Sequence, residues 1–161
     1  MKRIYLKLLI FSFILMGMNT LCACADKIEE DLETEITFND LPQVSQTFLN
    51  TYFSGITGKY EKKITNGYIF YEADLTNGYE IVFNTTGEWN EVDAPDGEII
   101  PKGIAPQVIE DYINVNYKNY GINEINKTGY GYNVELSNLQ GGTSINLSFN
   151  ESGEVINPNN L

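Results

Sequence analysis

Histidine is absent from this 161-residue chain, and its two cysteines, Cys22 and Cys24, lie near the amino terminus together with Arg3, the only arginine. No histidine means no ordinary general base near neutral pH, no Ser-His or Cys-His nucleophile and none of the commonest zinc ligand. With both cysteines in the leading segment, the rest of the chain has no thiol for a disulfide, a zinc site or thiol catalysis, so its stability must come from packing. No apolar run reaches the about 20 residues that a membrane-spanning helix needs.

The leading segment has the layout of an export signal, placed at residues 1–25. Met1-Lys2-Arg3 is a positive start, Ile4 to Met18 is apolar apart from Lys7, and Leu21-Cys22-Ala23-Cys24-Ala25 is a small-residue exit. Two cleavages are open. Ala23-Cys24-Ala25 before Asp26 suits a soluble product, whereas Leu21 to Cys24 resembles a lipoprotein box that would leave Cys24 as a lipidated first residue. Either route predicts a protein exported to the periplasm, to the outer membrane's surface or to the medium.

Basic residues are scarce as well. Past Ala25 the chain keeps all 22 acids but only seven lysines, a net charge of about −15. This argues against nucleic acid and anionic lipid, and favours cations or basic protein surfaces. An acidic surface that serves only solubility is the plainer reading.

What is present in quantity is internal similarity. Leu41-Pro42-Gln43-Val44 with Phe48-Leu49-Asn50 and Phe53 returns as Ala105-Pro106-Gln107-Val108 with Tyr112-Ile113-Asn114 and Tyr117. Phe83-Asn84-Thr85-Thr86-Gly87-Glu88-Trp89 likewise returns as Phe149-Asn150-Glu151-Ser152-Gly153-Glu154-Val155. Residues 41–161 are expected to form one domain of two repeats, 41–98 and 104–157, behind an acidic, solvated tether at 26–40.

Each repeat opens on a helical pattern. Leu41, Val44, Phe48 and Tyr52 make one stripe, with Asp40 placed to cap and Pro42 in the first turn; Ala105, Val108, Ile109, Tyr112 and Ile113 repeat it. The period then becomes two. Strands are expected at 59–64, 68–75, 79–83 and 88–92, and at 123–127, 132–137, 143–149 and 154–156, with Asn66-Gly67 and Asn77-Gly78 as hairpin turns. The predicted fold is therefore α+β, a tandem repeat of helix plus four antiparallel strands.

If Gly87 closes a three-residue loop, Phe83 pairs with Trp89, and Ile81, Phe83, Trp89, Ile69, Tyr71, Ala73 and Leu75 face the helices. The opposite face of the first repeat then carries Tyr68, Phe70, Glu72, Asp74, Glu80, Val82, Glu88, Asn90 and Val92. The second repeat shows Asn133, Glu135, Ser144, Asn146 and Ser148 there. Aromatics point outward only in the first repeat, an apolar patch rimmed by carboxylates. Two arrangements would remove it: the tether lying over Tyr68 and Phe70, or a one-residue register slip that exchanges the faces.

Chemistry finds little support. Glu72 with Glu80 or Asp74 is the one carboxylate pairing suited to catalysis, and 22 acids in a small domain produce such pairs by chance. Asp93, Asp96 and Glu98 around Gly97 lack the order of a calcium-binding loop and read as an acidic turn.

The Leu-Pro-x-x opening of the first helix, the run Asn77-Gly78-Tyr79-Glu80-Ile81-x-Phe83-Asn84-x-x-Gly87-Glu88-Trp89-x-Glu91-Val92-Asp93 and the second helix after Ile100-Pro101 together resemble the PepSY-like proteins of Bacteroides-type bacteria. These are grouped with the beta-lactamase inhibitory protein fold. The resemblance covers about Leu41 to Ile156. It implies eight strands in one curved sheet, helices on one side and a concave open face, which in the inhibitor grips an enzyme. Relatives often carry a cysteine in the loop matching Asp93-Ala94-Pro95-Asp96-Gly97, and the inhibitor is disulfide-bonded; this chain matches neither feature.

The expectation is thus a non-enzymatic, exported protein-binding module without a cofactor or metal. Its open face, centred on Tyr68, Phe70, Val82 and Asn90, would hold a protein with a basic surface, as an inhibitor or regulator of another envelope or secreted protein. A small-ligand or cation-binding envelope protein is the alternative.

Overall fold

Short turns dictate the architecture. Asn66 and Gly67 both take positive φ, 52° and 78°, the mirror-image turn whose twist matches that of two antiparallel strands. Turns of this kind join consecutive strands edge to edge, so the sheet grows in chain order. The computed structural model describes residues 32–156. It contains one open antiparallel sheet of eight strands in the order β1 to β8: β1 (Leu32–Ile36), β2 (Gly58–Thr65), β3 (Tyr68–Leu75), β4 (Glu80–Phe83), β5 (Trp89–Asp93), β6 (Tyr120–Thr128), β7 (Gly131–Asn138) and β8 (Ile145–Asn150). Helices α1 (Gln43–Tyr52) and α2 (Gln107–Asn116) precede β2 and β6.

Both helices lie on the same face of the sheet. Ile81, Val92, Ile125 and Val134 are successive register partners, all fully buried, and Phe83 and Phe149 belong to the same face. Phe48 of α1 meets Phe83 edge-on at 5.7 Å, and Tyr112 of α2 meets Phe149 at the same separation. Edge-to-face pairs of this sort add about 0.5–1.5 kcal/mol beyond burial.

The helices also dock on matching turns. Asn84 N–H bonds Glu88 O at 2.8 Å, and Asn150 N–H bonds Glu154 O at 2.9 Å; each asparagine Oδ1 accepts the glutamate's N–H. A Cβ on Gly87 would stand 2.5 Å from Pro42 Cβ, and one on Gly153 only 2.1 Å from Val108 Cγ1. Glycine is required at both because φ is positive, 88° and 79°, and because a helix start rests on the bare backbone. Ser45 Oγ–H donates to Gly87 O at 3.0 Å, which satisfies a fully buried hydroxyl.

Several expectations need correction. The eight strands are one before α1, four between the helices and three after α2, and the second half does not repeat helix plus four strands. Where a strand at 154–156 was expected, Val155 makes a single bridge to Phe149, with Ile156 N–H bonded to Ser148 O. The missing strand is supplied by the segment read as a tether, since Leu32–Ile36 pairs residue for residue with Ile64–Tyr60. Phe38 anchors it by packing edge-on against Tyr60 at 5.7 Å. Asp40 does not cap α1. Its carboxylate accepts from Thr37 N–H and Oγ–H at 2.9 and 2.6 Å, closing a single 3-10 turn, while Pro42 precedes the first helical residue. Val44 and Val108, expected in the helix stripes, are exposed, and Ser45 is buried in place of Val44, while Leu49, Ile109 and Ile113 face inward as expected. The export signal, Cys24 and residues 26–31 lie outside the described residues.

Candidate binding face

Strand parity decides what the open face displays, and two bulges change that parity. In β5, Phe83 pairs with Trp89 as the turn predicts, but Val82 pairs with Glu91 and Ile81 with Val92, so Asn90 is an extra residue. An extra residue of this kind switches every later side chain to the other face. Val92, expected on the open face, is therefore fully buried in the core. Asn90, expected there too, is exposed at the bulge, and Glu91 holds the face position instead. In β6, Asn123 is the extra residue between Ile122 and Glu124. It is fully buried, and its side-chain N–H groups bond the carbonyls of Ala94, Pro95 and Glu98 at 3.1, 3.3 and 2.9 Å. It thereby ties down the loop around Gly97 that the sequence reads as an acidic turn.

With both bulges in place, carboxylates align across the strands. Lys59, Asp74, Glu80, Asp93, Glu124, Glu135 and Asn146 are successive register partners from β2 to β8. Acids stand directly opposite one another on five adjacent strands, β3 to β7. The next row runs Glu35, Glu61, Glu72, Val82, Glu91, Asn126, Asn133 and Ser148. Neighbouring strands lie about 4.8 Å apart, and each directly opposed like-charge pair is destabilising by up to about 1 kcal/mol. Core packing does not require this arrangement.

The one lysine in these rows, Lys59, and the one beside them, Lys63, are both on β2. Lys63 Nζ sits 2.8 Å from Glu72, 3.0 Å from Glu33 and 3.6 Å from Glu61. Burial alone would lower its affinity for a proton, but the hydrogen bonds to Glu72 and Glu33 outweigh that and raise its pKa. Lys59 Nζ lies 2.5 Å from Glu61, and this contact is the main cause of the lowered pKa of that buried carboxylate. Asp74 moves the other way, because burial and the nearby Glu72, Glu80 and Glu61 all raise its pKa. Carboxylate oxygens of Glu61, Glu72 and Asp74 come within 4.8 Å of one another, close enough to share one cation.

At the free end of the β2–β3 hairpin the face turns apolar. Tyr68 is 76% exposed, Phe70 lies opposite Lys63, and Val82, opposite Glu72, is a diagonal neighbour of Phe70. Of the four residues expected to centre the site, Tyr68, Phe70 and Val82 hold register positions on this face, and Asn90 is the exposed bulge residue next to Glu91. β1 extends the sheet edgewise beside β2, so residues 32–36 form an edge strand and do not lie over Tyr68. Glu72 faces Val82, not Glu80; Asp74 faces Glu80. Glu61, Glu91 and Glu124 were missed from sequence, and Asp93 was assigned to the turn after β5 and not to the face. The signal was present as two apolar-polar-polar-apolar breaks in the alternation, Trp89-Asn90-Glu91-Val92 and Ile122-Asn123-Glu124-Ile125.

The molecule is thus a single antiparallel sheet, helix-covered on one side and acidic on the other. The family model described as "Putative beta-lactamase-inhibitor-like, PepSY-like" matches residues 69–157, more than half of the chain. The chain belongs to that PepSY-like family. Among solved structures it is similar to a "putative calcium-regulated periplasmic protein" of Bacteroides thetaiotaomicron, with 28% identity, a TM-score of 0.70, and coverage of 78% of this chain and 94% of that one. It is also similar to a "putative periplasmic protein" of the DUF2874 family from Bacteroides vulgatus (27% identity, TM-score 0.70, coverage 83% and 98%). A "putative periplasmic protein of unknown function" from the same organism has 25% identity, a TM-score of 0.67 and coverage of 80% and 98%. No curated protein matches the chain. No helix among the described residues is long and apolar enough to cross a membrane.

Proposed function

We propose that this protein is a non-enzymatic, exported binding module that holds a basic protein surface against its open sheet face. The row of acids on β3 to β7 carries the reading. Like charges in register oppose folding, and a partner bearing lysine or arginine would relieve the repulsion on binding while Tyr68, Phe70 and Val82 add apolar contact. The periplasmic description of the similar structures and the inhibitor-like family are consistent with such a role in the cell envelope. The test compares three forms as bait against native envelope extract: the wild type, a row variant (E80Q, E124Q and E135Q together) and a patch variant (Y68A with F70A). A partner that binds the wild type should be lost from both variants, and raising the salt concentration should weaken its capture. Undiminished capture by both variants would overturn the proposal.

A divalent cation is the second reading. It is favoured by the convergence of Glu61, Glu72 and Asp74 and by the calcium regulation named for one similar protein. Lys63 already supplies a positive charge there, so a cation would have to displace it. Calcium at 100 times its dissociation constant should stabilise the fold by about 2.7 kcal/mol. A melting temperature unmoved by millimolar calcium would rule out tight binding.

A further inference from the structure

The crossover from β5 to α2 leaves a cleft of about 240 Å³ on the helix side of the sheet, away from the acidic face. Its floor is apolar, formed by Ile99, Ile113 and Ile122, with Leu139 at the rim, 56% exposed. The walls are fixed in place. Ile100 N–H bonds Ile122 O at 2.8 Å, Tyr79 Oη–H donates to Ile99 O at 2.8 Å, and Ile99 lies on the bare backbone of Gly121, where a Cβ would come within 2.5 Å of it.

Charge distinguishes this cleft from the rest of the molecule. The chain carries 22 acids against ten basic residues, and on the open face carboxylates hold both Lys59 and Lys63. Lys102 and Lys118, by contrast, both line the cleft, and neither forms an ion pair among the described residues. The one acid in the lining, Glu110, is turned to the crossover backbone and accepts Gly103 N–H at 2.7 Å. Lys118 lies just beyond the C-terminus of α2, where a positive charge suits the helix dipole; Lys102 has no such role.

We propose that this cleft binds a small apolar monocarboxylate, its tail on the isoleucine floor and its carboxylate between the ammonium groups of Lys102 and Lys118. Preformed apolar clefts with a few convergent charged groups are the usual form of a small-molecule site. In a protein of strong negative charge, a local cationic pair selects for an anion that the rest of the surface repels.

Methyl NMR titration of the exported protein with hexanoate tests this, with hexylamine and hexanol as probes of equal tail length. Hexanoate should shift the methyls of Ile113, Ile122 and Leu139 saturably, and hexylamine should not. Lys102→Gln, at an exposed site, should leave the melting temperature unchanged and raise the hexanoate Kd about tenfold. Hexanoate shifts that fail to saturate by about 10 mM, equal affinity for hexanol, or an unchanged Kd in K102Q would each overturn the proposal.

Discussion

The two faces of this sheet obey opposite rules. On the helix side, register partners are matched for packing: Ile81, Val92, Ile125 and Val134 form a continuous buried row, and Phe83 and Phe149 each receive an aromatic from a helix. On the open side, the same ladders set carboxylate against carboxylate across five strands. The covered face shows what the fold needs, and the open face shows what it tolerates. An arrangement that folding tolerates without needing it is where a binding role should be sought.

Substitutions on each face test this contrast. The largest effect is expected on the covered face. Phe83→Ala should destabilise by about 3–5 kcal/mol, because a fully buried ring leaves a cavity under α1; a urea denaturation midpoint close to wild type would show that face to be less tightly packed than described. Gly87→Ala should lose about 2 kcal/mol through its positive φ and the clash with Pro42 in the same unfolding measurement. On the open face, Lys63→Met leaves Glu33, Glu61 and Glu72 facing one another, and a loss of about 1–2 kcal/mol is expected.

Glu124→Gln should have the opposite sign. It removes a charge lying between Asp93 and Glu135, and should stabilise by about 0.5 kcal/mol at low salt, fading as salt screens the row. Thermal unfolding at two ionic strengths gives the answer, and a loss of stability at low salt would refute the claim of repulsion.

The smallest effect concerns pH. The folded state holds the proton of Asp74 more tightly than the unfolded chain does. Its contribution is therefore present at low pH and lost as pH rises from the ordinary carboxylate value of about 3.9 through the raised one. Glu61, with its pKa lowered, contributes in the opposite sense, and its stabilisation is lost as pH falls through its folded value. Asp74→Asn should remove the first slope and keep the second; unfolding midpoints across the acidic range would expose a profile that does not change.

Local signals carried much of the fold. Asn66-Gly67 and Gly87 fixed their hairpins, and the pairing of Phe83 with Trp89 follows from the second of them. Tyr68, Phe70 and Val82 were placed on the correct face because no bulge intervenes in their ladders. Residues at or beyond a bulge were not legible: Val92 was assigned to the open face and is core, Asn90 was given the register position that Glu91 holds, and Glu124 was not considered. The acidic segment 32–36 was read as solvated because an edge strand has one hydrogen-bonded neighbour and needs little apolar periodicity; only its pairing with β2 identifies it.

Turn chemistry and the apolar positions from which helices and hairpins form are written locally in the chain, since these depend on neighbours a few residues apart. Which carboxylates share a row is fixed by the folded sheet. That depends on register counted across strands whose partners lie as far apart in the chain as Glu91 and Asn126, and a single extra residue such as Asn90 or Asn123 moves every later side chain to the other face.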